Sequence, residues 1–179
     1  MTFSYAGSMK KVLSIIGLSL LCIFLLAGCT QQHTASRSYT NSVYGFSLDP
    51  PSGWQQIENE EQNIAVRFIP GNSTNVSLIF AAPFSLSEGR ALSTFADQTE
   101  ENLLESGMNY SIVNRDWRSI SQLQAYEIAY THDQNGTIEY VKQVVVLRTR
   151  TVFLITYTAP DSIAAQYLTE IDQCIETFM

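Results

Sequence analysis

Cys29 is the residue of this chain best placed to take part in chemistry. It follows Leu26-Ala27-Gly28 at the end of an apolar run, Val12–Leu26, which is itself preceded by Lys10 and Lys11. A short cationic stretch before an apolar segment is the layout of a secretory signal. Small residues at 27 and 28 let a peptidase approach the backbone. A cysteine standing where the mature chain would begin offers its sulfur for thioether lipidation. The fifteen residues of the run, at about 1.5 Å each, fall short of a bilayer core of roughly 30 Å. A cleaved signal over residues 1–28 is therefore expected, with Cys29 lipidated. The alternative is an uncleaved anchor helix from about Val12 to Gly28, in which Cys29 is passive. Either places the remainder outside the cytoplasmic membrane. Met9 directly precedes the lysines and is a second candidate start.

Other titratable residues offer weaker chemistry. Asn135-Gly136 between two alternating segments favours a two-residue hairpin loop. That register sets His132 opposite Glu139, about 4.5–5.5 Å apart at Cβ, close enough for a charge-assisted pair. With Asp133 adjacent, the group could hold a metal or sense pH. Asp133, however, should point to the opposite face of the strand. An exposed ion pair worth about 0–1 kcal/mol is the expected reading. Asp97, Glu101 and Glu105 recur every fourth residue with Glu100 beside them. Like charges at that spacing weaken a helix by about 0.2–0.5 kcal/mol per pair. They are a surface for a cation or basic partner, or the solvated face of an acidic protein; the second is expected. Trp54 should pack into the core, and Trp117, between Asp116 and Arg118, should be partly exposed.

Phosphate-cradling glycine loops are absent, because the glycines after the signal (45, 53, 71, 89, 107 and 136) are all widely separated. There is no G-x-S-x-G elbow and no cysteine pair at zinc spacing. No catalytic, cofactor-binding or metal-ligating residue is assigned. Sequons stand at Asn72, Asn75, Asn109 and Asn135, a weak sign of surface loops.

Removing residues 1–28 from the 179 leaves 151, the size of one domain. Eight basic residues then face seventeen acidic ones, a net charge of −9. That disfavours nucleic acid as a partner, since phosphate binding needs a clustered basic surface. It equally disfavours electrostatic docking on anionic headgroups. Contact with the membrane is expected through acyl chains. Cys174 is the one cysteine left after the lipid site, so no intramolecular disulfide forms; it lies on an apolar stripe and reads as a core residue.

Thr30–Ser42 is polar and aperiodic, giving a flexible tether over 29–42 and a folded domain over 43–179. Tyr44–Leu48 alternates as a strand and Asp49-Pro50-Pro51-Ser52-Gly53 ends it. Trp54 opens a second strand; Ile64–Ile69 and Val76–Ala82 form the next pair. Ala91–Ser106 has helical spacing and Gly107 can terminate it. Short strands follow near Tyr110–Asn114 and Arg118–Ser121, then the hairpin arms Ala125–His132 and Thr137–Leu147, then Val152–Ala159. A last helix starts at Asp161 or Ser162 as N-cap, with Ile163, Tyr167, Leu168, Ile171, Cys174, Ile175 and Phe178 on its stripe. Strands, helix, a long antiparallel run and a helix make an α+β domain with helices on a mainly antiparallel sheet.

Tyr44-Gly45-Phe46-Ser47-Leu48 followed by Pro51-Ser52-Gly53-Trp54 resembles the opening of PsbP-related proteins, a superfamily that includes DcrB-like envelope lipoproteins and Mog-type Ran-binding proteins. The mid-chain helix, the long hairpin, the aromatic strand Phe153–Tyr157 and the closing helix extend the likeness over residues 43–179. Pro50-Pro51 departs from the usual single proline. The resemblance implies an α/β/α sandwich and a non-catalytic accessory, assembly or binding role, with no cofactor. Metal ligands of the photosynthetic branch have no match here. The chain is thus expected to be a lipid-anchored extracytoplasmic module of the cell envelope, assisting a membrane-associated protein complex. The alternative is a small-ligand or metal-binding envelope lipoprotein, using the sheet's concave side or the His132 region.

Overall fold

A computed structural model describes residues 38–58, 61–105 and 109–179; the expected signal (1–28), Cys29, residues 30–37 and Gly107 lie outside them. In chain order the strands before the first helix are β1 (Tyr39–Asn41), β2 (Phe46–Leu48), β3 (Trp54–Ile57), β4 (Ile64–Pro70), β5 (Ser77–Ala81) and β6 (Phe84–Ser85). Helix α1 (Leu92–Glu105) leads into β7 (Tyr110–Ile120), β8 (Leu123–Gln134), β9 (Thr137–Arg148) and β10 (Thr151–Pro160), and α2 (Asp161–Ala164) and α3 (Leu168–Glu176) close the chain. One eight-stranded antiparallel sheet runs β3-β4-β5-β10-β9-β8-β7, with β6 attached to β10. The β1–β2 hairpin is separate.

Strand alternation sorts the sheet into two faces. Tyr126, Ile128 and Tyr130 of β8 with Val141 of β9 pack under Ala96 and Leu103 of α1. The intervening Ala125 and Ala129, with Val144, Val146, Phe153, Ile155 and Tyr157, face Ala164, Ile171, Cys174 and Ile175 on the other side. Ala125–Tyr130 is buried without a break, which requires a helix on each face. On the α3 face Phe178 sits among Phe46, Phe80 and Phe153, with ring centroids 5.6, 6.3 and 5.1 Å away. Ser47 and Met179 exchange backbone hydrogen bonds of 2.9 and 3.0 Å, tying the C-terminal residues to β2.

The Asn135-Gly136 hairpin forms in the expected register, with positive φ at both residues (56° and 83°). Four expectations need correction. Tyr39–Asn41, inside the stretch read as tether, pairs with β2, and buried Tyr39 packs edge-on against Phe68 at 5.7 Å. A three-residue strand is too short to show a period. The two short strands expected around 110–121 are one, because a bulge between Ile112 and Asn114 absorbs the irregularity. The closing helix is two helices. Gln166 and Tyr167 donate to carbonyls three residues back, at 3.0 and 3.1 Å, and the buried Tyr157 hydroxyl donates to the Ala164 carbonyl at 2.9 Å. That hydroxyl must find an acceptor once buried, and the carbonyl it takes lies at the break. Residue Pro160, rather than Asp161 or Ser162, occupies the N-cap position, without a side-chain cap.

Burial pushes the phenols of Tyr39, Tyr126 and Tyr140 up to about 12, and the Cys174 thiol likewise to about 12. The fold favours the protonated form of each. Its contribution is complete below the unfolded values, about 8.5 for the thiol and 10 for the phenols, and is lost as pH climbs through about 12. The denaturant midpoint should therefore stay flat from pH 7 to about 8.5 and fall steadily above about 10, with tyrosinate absorbance rising alongside unfolding. A midpoint at pH 11.5 equal to that at pH 8 would contradict this.

Candidate functional site

Two places gather polar groups. The first lies under α3, where two charged residues interrupt otherwise apolar strands. Glu127 of β8 and Lys142 of β9 are only 5% and 6% exposed. Because Glu127 registers with Val144, Lys142 is its diagonal neighbour on the same face. The Lys142 ammonium lies 3.3 Å from Glu127 Oε1 and 2.7 Å from Asp172 Oδ1 of α3. Arg118 of β7 donates to Glu127 Oε2 at 2.5 Å and, through its other terminal nitrogen, to Glu176. Asn114 adds a bond of 3.5 Å to Glu127. Burial works against the Arg118 charge, but the bonds to Glu176 and Glu127 outweigh it and raise its pKa. These charges satisfy one another and pin α3 to β7, β8 and β9. Their chemistry is that of a clamp. Sequence reading missed them; the available signal was a lone Glu and a lone Lys inside Ala125–Tyr130 and Tyr140–Val146.

The residues singled out from sequence fall elsewhere. His132 Nε2 and Glu139 Oε2 lie 3.1 Å apart, as the register required. The pair is less exposed than a hairpin tip suggests: the His132 side chain is 11% exposed, beside Tyr130 and across from Tyr110, and its Nδ1 is buried without a hydrogen bond. Asp133 turns away and accepts the Gly136 amide at 2.7 Å. Among the described residues no three His, Cys, Asp or Glu side chains are grouped to hold a metal. Asp97, Glu101 and Glu105 are exposed on α1. Glu100 instead turns to the sheet, accepting from the Tyr126 hydroxyl and pairing with Arg115 at 2.9 Å. Trp54 packs edge-on against Tyr167 at 5.7 Å and donates to Glu170 at 3.2 Å. Burial raises the Glu170 pKa, and the Trp54 bond partly offsets it. Cys174 is buried in the core, and all four sequon asparagines are exposed.

The second place is the margin of the sheet at β7. Trp117 is 53% exposed, its ring 4.9 Å from that of Tyr126. A recess of about 450 Å³ opens on one side of it, lined by Leu92, Ser93, Ser119 and Gln124. Another of about 270 Å³ opens on the other, lined by Ala96, Asp97, Glu100 and Arg115. The half-exposed Trp117 presents a large apolar area between the two recesses, beside the hydrogen-bonding groups of Ser93, Ser119, Gln124 and Asp97. A wider recess of about 550 Å³ lies between the β1–β2 turn and the start of β4, lined by Tyr39, Asn41, Tyr44, Glu58 and Glu61. Glu61 there is drawn toward Arg67 at 3.4 Å, and the rest of the lining brings no reactive set together. Of the two larger recesses, the one beside Trp117 carries the aromatic anchor.

Replacing Lys142 by Met leaves Glu127 buried beside a cation it shares with Glu176. The variant should lose about 3–5 kcal/mol of unfolding free energy in denaturant titration. A loss under about 1 kcal/mol would mean that the cluster does not hold α3.

Comparison with known proteins agrees with this architecture. The solution structure of cyanobacterial PsbP from Synechocystis superposes with a TM-score of 0.62 at 13% identity, over 84% of this chain and 96% of that one. LpqN of Mycobacterium tuberculosis, described as involved in cell envelope biogenesis, gives 0.65 at 11% identity over 75% and 82%. A Pseudomonas aeruginosa protein described as a putative regulator gives 0.58 at 17% identity over 78% and 93%. At such identities the likeness shows the fold: a PsbP-like α+β sheet flanked by helices. None of the curated proteins matches the sequence. The family model named DcrB matches residues 51–177, most of the chain. With the sheet order, the two helix layers and that match together, the chain belongs to the DcrB family.

Proposed function

We propose that this protein is a lipid-anchored, non-catalytic accessory of the cell envelope that binds a membrane-associated protein complex through the β7 margin. The observation that carries the reading is the division of labour between the two polar places. Arg118, Glu127, Lys142, Asp172 and Glu176 are engaged with one another beneath α3. Trp117 and its flanking recesses face outward. Buried charges in mutual pairs serve the fold; an exposed aromatic beside hollows serves recognition.

The anchor follows from the N-terminus. In this reading attachment rests on Cys29, which follows the apolar run Val12–Leu26 and the small residues Ala27 and Gly28. Each buried methylene contributes about 0.8 kcal/mol, and two acyl chains hold where one would exchange. LpqN, of similar fold, is described in terms of the cell envelope, which supports the same compartment here. Anchoring also raises local concentration, so a modest contact suffices.

The full-length chain tests both parts. Cys29→Ala should move the protein from the detergent phase to the aqueous phase and abolish lipid labelling; an unchanged partition overturns the anchor. Trp117→Ala, at an exposed position, should leave the fold intact and lower the yield of membrane-protein adducts after crosslinking in intact cells by about tenfold. Equal yields overturn the β7 margin as the contact surface.

A further inference from the structure

Strand β7 ends the sheet with no neighbour on its outer side among the described residues. It is eleven residues long. Natural edges are blunted by shortness, by proline, by charged side chains, or by a bulge that twists them away. The strand is long and lacks proline, its bulge lies at Ile112–Asn114, and Asn114–Ile120 stays in unbroken register with β8. Its protection is the charges Arg115, Asp116 and Arg118, which repel a strand whose charges do not complement them. Alternate residues of that stretch direct their N–H and C=O groups away from β8. Such an edge is a template for another strand.

We propose that a second copy of this chain docks here, edge to edge and antiparallel, about a two-fold axis at Trp117. The order of charges along β7 selects this register. A two-fold axis normal to the sheet keeps like faces together, so opposing residues lie on the same face. With Trp117 opposite itself, Asp116 of each copy stands opposite Arg118 of the other, and Arg115 opposite Ser119. Centring the axis one residue earlier or later sets Asp116 against Asp116 or Arg118 against Arg118, and like charges directly opposite repel. The sequence Arg115-Asp116-Trp117-Arg118-Ser119 is self-complementary in one register.

The surroundings fit that register. Asp116 is exposed, directly across from the like-charged Glu127, with no ion pair among the described residues. Arg118 is held by Glu127 and Glu176 through its two terminal nitrogens and keeps 20% side-chain exposure, so its positive charge is fixed at this edge. On the α1 face the two Trp117 rings meet beside the recesses that flank each of them. Edge pairing of this length buries little area, and it becomes effective when both copies share a membrane surface. The inference rests on the reading of the β7 margin as a contact surface, and it names the first occupant.

Full-length chains carrying Arg115→Cys and others carrying Ser119→Cys are mixed in phospholipid vesicles and oxidised. The heterodisulfide 115–119 should exceed either homodisulfide by about fivefold, since only opposed positions bring Cβ atoms within bonding range. Adding Asp116→Arg to both, a change at an exposed site, should cut that yield by about tenfold. Absence of the heterodisulfide, equal yields of all three products, or insensitivity to Asp116→Arg overturns the proposal. Cellular adducts that persist while the heterodisulfide is absent overturn self-docking alone; adducts of Trp117→Ala at the parental yield, with the disulfide pattern retained, overturn the wider contact reading alone.

Discussion

A carboxylate and an ammonium 3.3 Å apart inside a β-sheet, Glu127 and Lys142, set the arrangement of this molecule. Neither can be left alone without water, so each demands further partners. Those partners come from α3 and β7: Asp172 for Lys142, Arg118 and Asn114 for Glu127, and Glu176 in turn for Arg118. The position of α3 is thereby fixed over β7–β9. Phe178, just beyond it, is brought into the ring cluster with Phe46, Phe80 and Phe153. The C-terminal residues then secure β2, and through it β1. One buried ionic pair thus connects the far ends of the described chain.

Covering follows from the same geometry. Helix α1 covers β8 and β9 on one face, α3 and the β1–β2 hairpin cover the other, and β7 is left at the margin with Arg115, Asp116 and Trp117 exposed. Function in this account belongs to what the helices leave open. The acidic row on α1, conspicuous in the sequence, contributes through Glu100, which locks Arg115 and Tyr126 behind Trp117. Asp97, Glu101 and Glu105 stay in solvent. In the proposed reading, an anchor at Cys29 would restrict the protein to a surface, and there the weak contacts of the sheet margin would suffice.

Much of this was legible beforehand, for identifiable reasons. Asn135-Gly136 announced its hairpin because those residues tolerate positive φ, and the register that followed placed His132 against Glu139. The stripe Ile171, Cys174, Ile175 was visible because a helix repeats its buried face. The turn at Ser121-Gln122 was not, although both have positive φ (47° and 69°), since neither residue type advertises it. Strand β7 looked like two pieces because an edge exposed on both faces loses its alternation. The ionic cluster escaped because its members are spread from residue 114 to residue 176 and meet only through topology. Trp117 was expected to be partly exposed; what could not be read was that recesses flank it.

The central claim is that the buried charges serve architecture while the β7 margin serves recognition. The double replacement Glu127→Leu with Lys142→Met removes one charge of each sign and leaves Arg118 with Asp172 and Glu176. Measured by denaturant unfolding together with crosslinking to membrane partners, the variant should fold with stability equal to the parent or higher by about 1–4 kcal/mol, and capture its partners undiminished. A stably folded double variant that no longer captures them would show that the charges themselves carry the function.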